Sequence, residues 1–303
     1  MTSTAEIKAR FEAALLSFVD KIKKDTNIRA VILYGSLAND TVWEKSDMDV
    51  VVLVRETKTC SPSFCIDEDG IILNASIETE FEFKRWLEGR DGSTRSYLQQ
   101  SRVIYTKDES LKDFINDFQK VGADDKALAF FQNSTWLLGT MEKIEKWLTV
   151  KDDPLYAQLW CLKATELYAN MRLILDGKPS SRESIIKVLA YAPEDIKHLY
   201  ERPMQGFMSG EEVWDMLNFY KKFLEDNLDL LKKPITHYMS DGAARTITTL
   251  VKHFGLSAHE IYHAFDFLEE MGIVARVTES VRLTPKNRTM VDEVAFIYVE
   301  NMN

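Results

Sequence analysis

Between Leu33 and Val54 the chain reads LYGSLANDTVWEKSDMDVVVLV, and no other stretch limits the possible folds as much. An apolar run ends in Gly35-Ser36, and ten residues later Asp47-Met48-Asp49 opens a second apolar run. Strand interiors reject aspartate, so two of them at the mouth of a buried strand need compensation. Side chains alternate along a strand, which sends Asp47 and Asp49 to one face and Met48 into the core. Converging carboxylates share a proton or take up a divalent cation. Mg²⁺ suits such a pair, because it accepts one or two carboxylates and fills its shell with water and phosphate oxygens. Gly35 permits a tight turn with exposed backbone N–H groups and Ser36 adds a hydroxyl, together a cradle for phosphate. Taken singly, Gly-Ser is a turn and Asp-x-Asp a solvated strand end. Their spacing between apolar strands points to a site.

The rest of the chain sorts into three textures. An amphipathic helix over residues 5–24 precedes strands at 28–34 and 50–54, a hairpin of 63–66 with 70–77 around the turn DEDG, and a helix at 81–87. Helical periods follow at 126–148, 154–176, 181–189, 193–202 and 210–231, punctuated by Pro154, Gly177, Pro179, Pro193 and Pro234. Two further helices, 245–254 and 257–271, lead into GIVARVTESVRLTP, a two-stranded wing with its turn expected near Glu279-Ser280. The expectation is an α+β chain: a small mixed-sheet domain over 1–112, a helical bundle over 113–234 and a winged helix over 235–303.

Bulk properties narrow the partners. No apolar stretch approaches the ~20 residues of a membrane span, and the first twenty residues lack a signal-peptide core. Cys60, Cys65 and Cys161 have no metal-ligand spacing, so unpaired thiols in a reducing, cytoplasmic setting are expected. The net charge of −10 repels nucleic acid and suits a cationic small molecule or a protein. From His237 to Asn303 there are 6 Lys and Arg against 9 Asp and Glu, which argues against DNA binding by the winged helix. Dimerisation, protein contact or cover for a cleft fit it better. His253, His259 and His263 have no companion cysteines and read as surface or core residues.

Tyr34-Gly35-Ser36 followed by Asp47-Met48-Asp49-Val50 resembles the signature of the nucleotidyltransferase superfamily that includes DNA polymerase β. Within it, the chain looks most like the bacterial enzymes that adenylylate aminoglycoside or lincosamide antibiotics. The resemblance implies Mg²⁺ on Asp47 and Asp49, with ATP as nucleotide donor and a small acceptor bearing a hydroxyl. It places the triphosphate on Gly35 and Ser36, with Lys45 and Ser46 as further contacts. The run ETEFEF resembles the segment carrying the general base in those enzymes, which makes Glu80 the candidate, with Glu78 and Glu82 as rivals if the strand continues. The family's third metal-site acid is replaced by Asn74 in IILNASI, which cannot act as a base.

On the helices, Lys163 and Arg172 are candidates to meet phosphate or to form surface ion pairs. Trp136, Trp160 and Tyr168 are candidates for a stacking platform or for the core. Two function classes follow. One is a Mg²⁺-dependent nucleotidyltransferase. The other is a non-catalytic nucleotide-binding, regulatory or antitoxin-like protein on the same scaffold, which Asn74 favours. A homodimer is compatible with both.

Overall fold

The structure, a computed structural model, describes residues 3–56, 62–88, 101–119, 123–178, 180, 183–284, 286 and 288–299. It divides into two compact units, Met1–Lys120 and Val121–Asn303.

The first unit is a five-stranded sheet with helices on both faces. Its elements are α1 (Thr4–Ile22), β1 (Ile28–Tyr34), β2 (Met48–Val54), β3 (Ser63–Glu68), β4 (Ile71–Thr79), α2 (Glu80–Glu88), β5 (Arg102–Thr106) and α3 (Glu109–Gln119). The strand order is β3-β4-β2-β1-β5, with β2 and β4 parallel and the other neighbours antiparallel. Strand residues split by parity. Val31, Leu33, Met48, Val50, Val52, Leu73 and Ala75 pack under α1, while Ala30, Ile32, Val51 and Leu53 pack with Phe83, Leu87, Leu111 and Ile115 of α2 and α3. Because both faces are covered, β2 reads as a continuous apolar run rather than an alternating one. The β3–β4 hairpin closes through Asp69 and Gly70, both at positive φ (55° and 78°), as a two-residue turn requires. β5, at Arg102–Thr106, adds an edge strand beside β1 that the sequence pattern does not mark.

The second unit contains α4 (Ala123–Thr149), α5 (Pro154–Leu175), α6 (Ser184–Leu189), α7 (Pro193–Ile196), α8 (Gly210–Asp226), α9 (Leu228–Met239), β6 (Arg245–Thr246), α10 (Ile247–Phe254), α11 (Ala258–Glu270), β7 (Val274–Arg282) and β8 (Met290–Tyr298). A π-helical turn, Lys197–Glu201, follows α7. The last three strands form a sheet in the order β6-β8-β7. One apolar cluster runs from Phe130 and Phe131 through Tyr168 and Tyr220 to Phe254, Phe265 and Phe296. The last sixty residues therefore share their core with the bundle. Lys112 lies inside α3, so the division of the chain comes after that helix.

Three local expectations are corrected. Residues 210–231 are two helices broken at Asn227, and Pro234 lies inside α9 rather than ending it. Arg245-Thr246 is strand, and Thr246 caps α10 by accepting from the Thr249 N–H. The wing does not turn at Glu279-Ser280. Those residues pair with Glu293 and Asp292 in the β7–β8 ladder, which continues to Arg282 opposite Met290, and the Ser280 hydroxyl donates to Asp292 at 2.8 Å. An exposed two-stranded ribbon can be polar throughout, so polarity alone does not mark its turn.

Among the described residues, no helix is long and apolar enough to cross a membrane. Cys65 and Cys161 are free thiols, and burial pushes the Cys161 thiol up to about 12. Cys60 lies outside the described residues.

Candidate active site

β1 and β2 run antiparallel with Tyr34 opposite Asp49, so β1 delivers Gly35-Ser36 at the level where Asp47 and Met48 enter β2. Gly35 has φ of +79°, a left-handed conformation that a side chain resists. The turn is pinned from within. Asn39 donates its backbone N–H and its side-chain amide to the Gly35 carbonyl, at 3.2 and 2.8 Å, and the Thr41 N–H donates to the Ser36 carbonyl at 3.0 Å.

Met48 is fully buried, Asp49 half-buried and Asp47 exposed, as the strand period predicts. On the parallel neighbour β4, Asn74 stands directly opposite Asp49. Its amide nitrogen donates to Asp47 Oδ2 at 2.7 Å and to Asp49 Oδ1 at 3.3 Å. The amide thus does electrostatically what a bound cation would do, placing partial positive charge between two carboxylates. Turning that amide about its terminal bond exchanges nitrogen for oxygen at the same position. The donors are then two carboxylates and a carbonyl-type oxygen, with solvent on the Asp47 side. Such an all-oxygen set fits a hard cation such as Mg²⁺.

Lys45 and Ser46 precede the pair on an exposed turn. Ser46 accepts the Trp43 N–H on its hydroxyl at 3.1 Å and returns its own N–H to the Trp43 carbonyl at 3.0 Å. Lys45 sits over the Trp43 ring, 5.9 Å from its centroid. Both flank the carboxylates in sequence, and Ser46 is already committed to shaping the turn.

Glu80 is not at this end of the sheet. β4 continues past Asn74 in register with β2 until Thr79 pairs with Val54, five residues along, or roughly 16 Å of strand. There the chain turns helical. Thr79 and Glu82 form a reciprocal cap on α2: the Thr79 hydroxyl donates to Glu82 Oε2 at 2.7 Å and accepts the Glu82 N–H at 3.2 Å. The Thr79 hydroxyl, and after it the Thr79 N–H that donates to the same oxygen at 3.3 Å, hold the Glu82 carboxyl below its ordinary value. Glu80 pairs with Lys84 one turn on, at 2.6 Å, and lines a separate concavity of about 430 Å³ with Arg29, Arg55 and Phe81. The segment ETEFEF is locally a strand end and a helix cap. Glu78, opposite Leu53, lies at the same far end, so all three glutamates are remote from Asp47 and Asp49.

The helical candidates resolve by burial. Tyr168 is core, its hydroxyl donating to Asp195 at 2.5 Å, and burial raises its pKa. Lys163 lies over the Trp160 ring at 4.0 Å. Trp136 is partly exposed and donates to Glu260 at 2.5 Å. Arg172 is half-buried, and its Nε, like Trp160 Nε1, has no hydrogen-bond partner among the described residues.

Residues 18–110 match the family model described as "Polymerase beta, Nucleotidyltransferase". The matched span takes in the whole five-stranded sheet and the turn at Gly35-Ser36, so this part of the chain is similar to polymerase-β-like nucleotidyltransferase domains. The chain is 27% identical over 99 residues to "Putative protein adenylyltransferase MJ0604" of Methanocaldococcus jannaschii, a match covering 31% of this chain and 97% of that protein. The whole chain is similar in fold to a crystal structure of a nucleotidyltransferase-like protein from Exiguobacterium sibiricum 255-15. The TM-score is 0.65 at 12% identity, covering 96% of this chain and 100% of that one. At that identity the likeness is one of fold alone.

Proposed function

We propose that this chain transfers a nucleotidyl group, AMP from ATP, to a hydroxyl acceptor in the cytoplasm. The observation that carries the reading is the convergence of Asp47, Asp49 and Asn74 where β1 turns at Gly35-Ser36, inside a domain that matches nucleotidyltransferases. Asp47 and Asp49 would hold Mg²⁺, with the Asn74 amide turned to offer its oxygen. When bound, Mg²⁺ neutralises triphosphate oxygens and stabilises charge developing at the α-phosphorus. The Gly35 turn brings backbone close to the phosphates, the Ser36 hydroxyl donates to one, and Lys45 adds positive charge from the exposed turn. Asn74 cannot take up the acceptor's proton. Asp47 is exposed, so the acceptor's proton, made more acidic by the ion, would leave to solvent water on that side.

The acceptor reading favours a protein hydroxyl over a small antibiotic. The relative matched over 97% of its own length bears the name "Putative protein adenylyltransferase MJ0604". The part of the likeness to antibiotic-modifying enzymes carried by ETEFEF is weakened by the distance of that segment from Asp47 and Asp49. The arrangement β6-α10-α11-β7-β8 follows winged-helix order. Of its six cations, Arg245 is paired with Asp241, and Arg276 with Asp266 and Glu269, which supports a partner other than DNA.

The second reading, nucleotide binding without transfer, is favoured by Asn74 alone. α-Labelled ATP with Mg²⁺, offered to cell protein and to a panel of aminoglycosides and lincosamides, separates them. Label on a protein with stoichiometric pyrophosphate supports protein nucleotidylation. Label on a small acceptor restores the antibiotic reading, and bound ATP without pyrophosphate gives the second one.

A further inference from the structure

Among the described residues, one group of three metal-capable side chains has its donor atoms within 4.8 Å of one another: Glu142, His259 and His263. All three lie in the second unit, apart from the carboxylates of the sheet domain. We propose that Glu142, His259 and His263 form a binding site for a borderline transition-metal ion of the Zn²⁺ class, clipping α11 to α4.

The two histidines are four residues apart on α11, so they project from one face on successive turns. Their Nε2 atoms face each other at 2.8 Å and their rings meet edge to face, with centroids 4.0 Å apart. Two neutral imidazoles can hold that contact with only one N–H between them, and an ion can replace that proton. Two imidazole nitrogens on one tetrahedral Zn²⁺ stand about 3.3 Å apart at ordinary Zn–N lengths. The pair therefore needs to open by roughly half an ångström. Glu142 reaches across from α4, with Oε2 3.2 Å from His263 Nδ1. Its side chain is 59% exposed, and to join the ion beside Nε2 its carboxylate would give up the contact with Nδ1 on the other edge of the ring.

The α4 surface is shaped for the buried ring. His263 is only 9% exposed, and a Cβ on Gly139 would come within 3.2 Å of its Cδ2 and 3.5 Å of its Nε2. Glycine at that position lets the imidazole lie against the helix. Two nitrogens and a carboxylate select Zn²⁺ over Mg²⁺, which separates this site chemically from the oxygen-only set at Asp47 and Asp49. Three protein ligands with His259 and Glu142 exposed leave a fourth position to water or to a group from a partner.

The test uses the full chain stripped with a chelator and titrated with Zn²⁺ by calorimetry, with thermal unfolding in parallel. One ion per chain is expected. The unfolding midpoint should rise by about 5 °C when free Zn²⁺ exceeds Kd a hundredfold. His259→Ala, at an exposed position, should keep the apo midpoint and weaken Zn²⁺ binding at least about 30-fold, and Glu142→Gln should weaken it about tenfold. Asp49→Asn should leave the Zn²⁺ titration unchanged, so loss of the nucleotide site cannot mimic loss of this one. Failure to take up Zn²⁺, or equal uptake by wild type, His259→Ala and Glu142→Gln, would overturn the site.

Discussion

Asn74 stands directly opposite Asp49 across the parallel β2–β4 pair, its amide nitrogen 3.3 Å from Asp49 Oδ1 and 2.7 Å from Asp47 Oδ2. A neutral donor thus sits between the two carboxylates. The amide relieves repulsion between the carboxylates without an ion.

That relationship sets the first prediction. Asn74→Asp removes the donor and adds a third negative charge. The apo unfolding midpoint should fall by a few degrees, and Mg²⁺ or Mn²⁺ affinity should rise about tenfold, the equivalent of roughly 1.4 kcal/mol. Calorimetric titration of the ion and thermal unfolding with and without it measure both. An unchanged midpoint with unchanged metal affinity would mean that Asn74 does not face the ion.

The second prediction concerns the far end of the sheet. Glu80→Gln breaks only a partly exposed pair with Lys84 and should leave Mg²⁺-ATP affinity within about twofold of wild type. Thr79→Ala removes the cap on α2 and should cost about 1 kcal/mol in urea unfolding, also without loss of nucleotide affinity. Loss of nucleotide binding in Glu80→Gln would return that residue to the site.

Much of this site was legible because it rests on period-two geometry. Asp47, Met48 and Asp49 alternate as a strand must, and Gly35 takes the positive φ its turn demands. The distance of Glu80 from the carboxylates is not legible from the resemblance of ETEFEF, and the alternation of Glu78, Glu80 and Glu82 reads as a continuing strand. The competing signal, Thr79 followed three residues later by Glu82, was present as a helix-capping pattern. The histidine pair was visible at helical spacing, but Glu142, on a helix far away in sequence, meets it only through tertiary packing.

The third prediction is a pH dependence. Glu68 is almost fully buried and accepts from Lys21 Nζ and Ser17 Oγ, each at 2.6 Å, tying β3 to α1. The Lys21 hydrogen bond first, then that of Ser17, holds its carboxyl below the ordinary value. A carboxyl depressed in the folded state contributes fully above the unfolded value, about 4.3, and loses that contribution as pH falls below it. Glu68→Gln should therefore unfold at a lower temperature than wild type at neutral pH, and the gap should close by about pH 3. A gap that is constant with pH would show that the ion pair contributes nothing.

The most direct test of the account is calorimetric titration of Mg²⁺-ATP into wild type and Asp49→Asn, which keeps the side chain's shape and removes its charge. Asparagine at position 49 should leave the unfolding midpoint within a few degrees. Saturable, Mg²⁺-dependent nucleotide binding to wild type is expected, weakened at least about a hundredfold in the variant. Equal affinity in the two proteins, or wild-type binding that persists with Mg²⁺ removed, would contradict a metal-nucleotide site on Asp47 and Asp49.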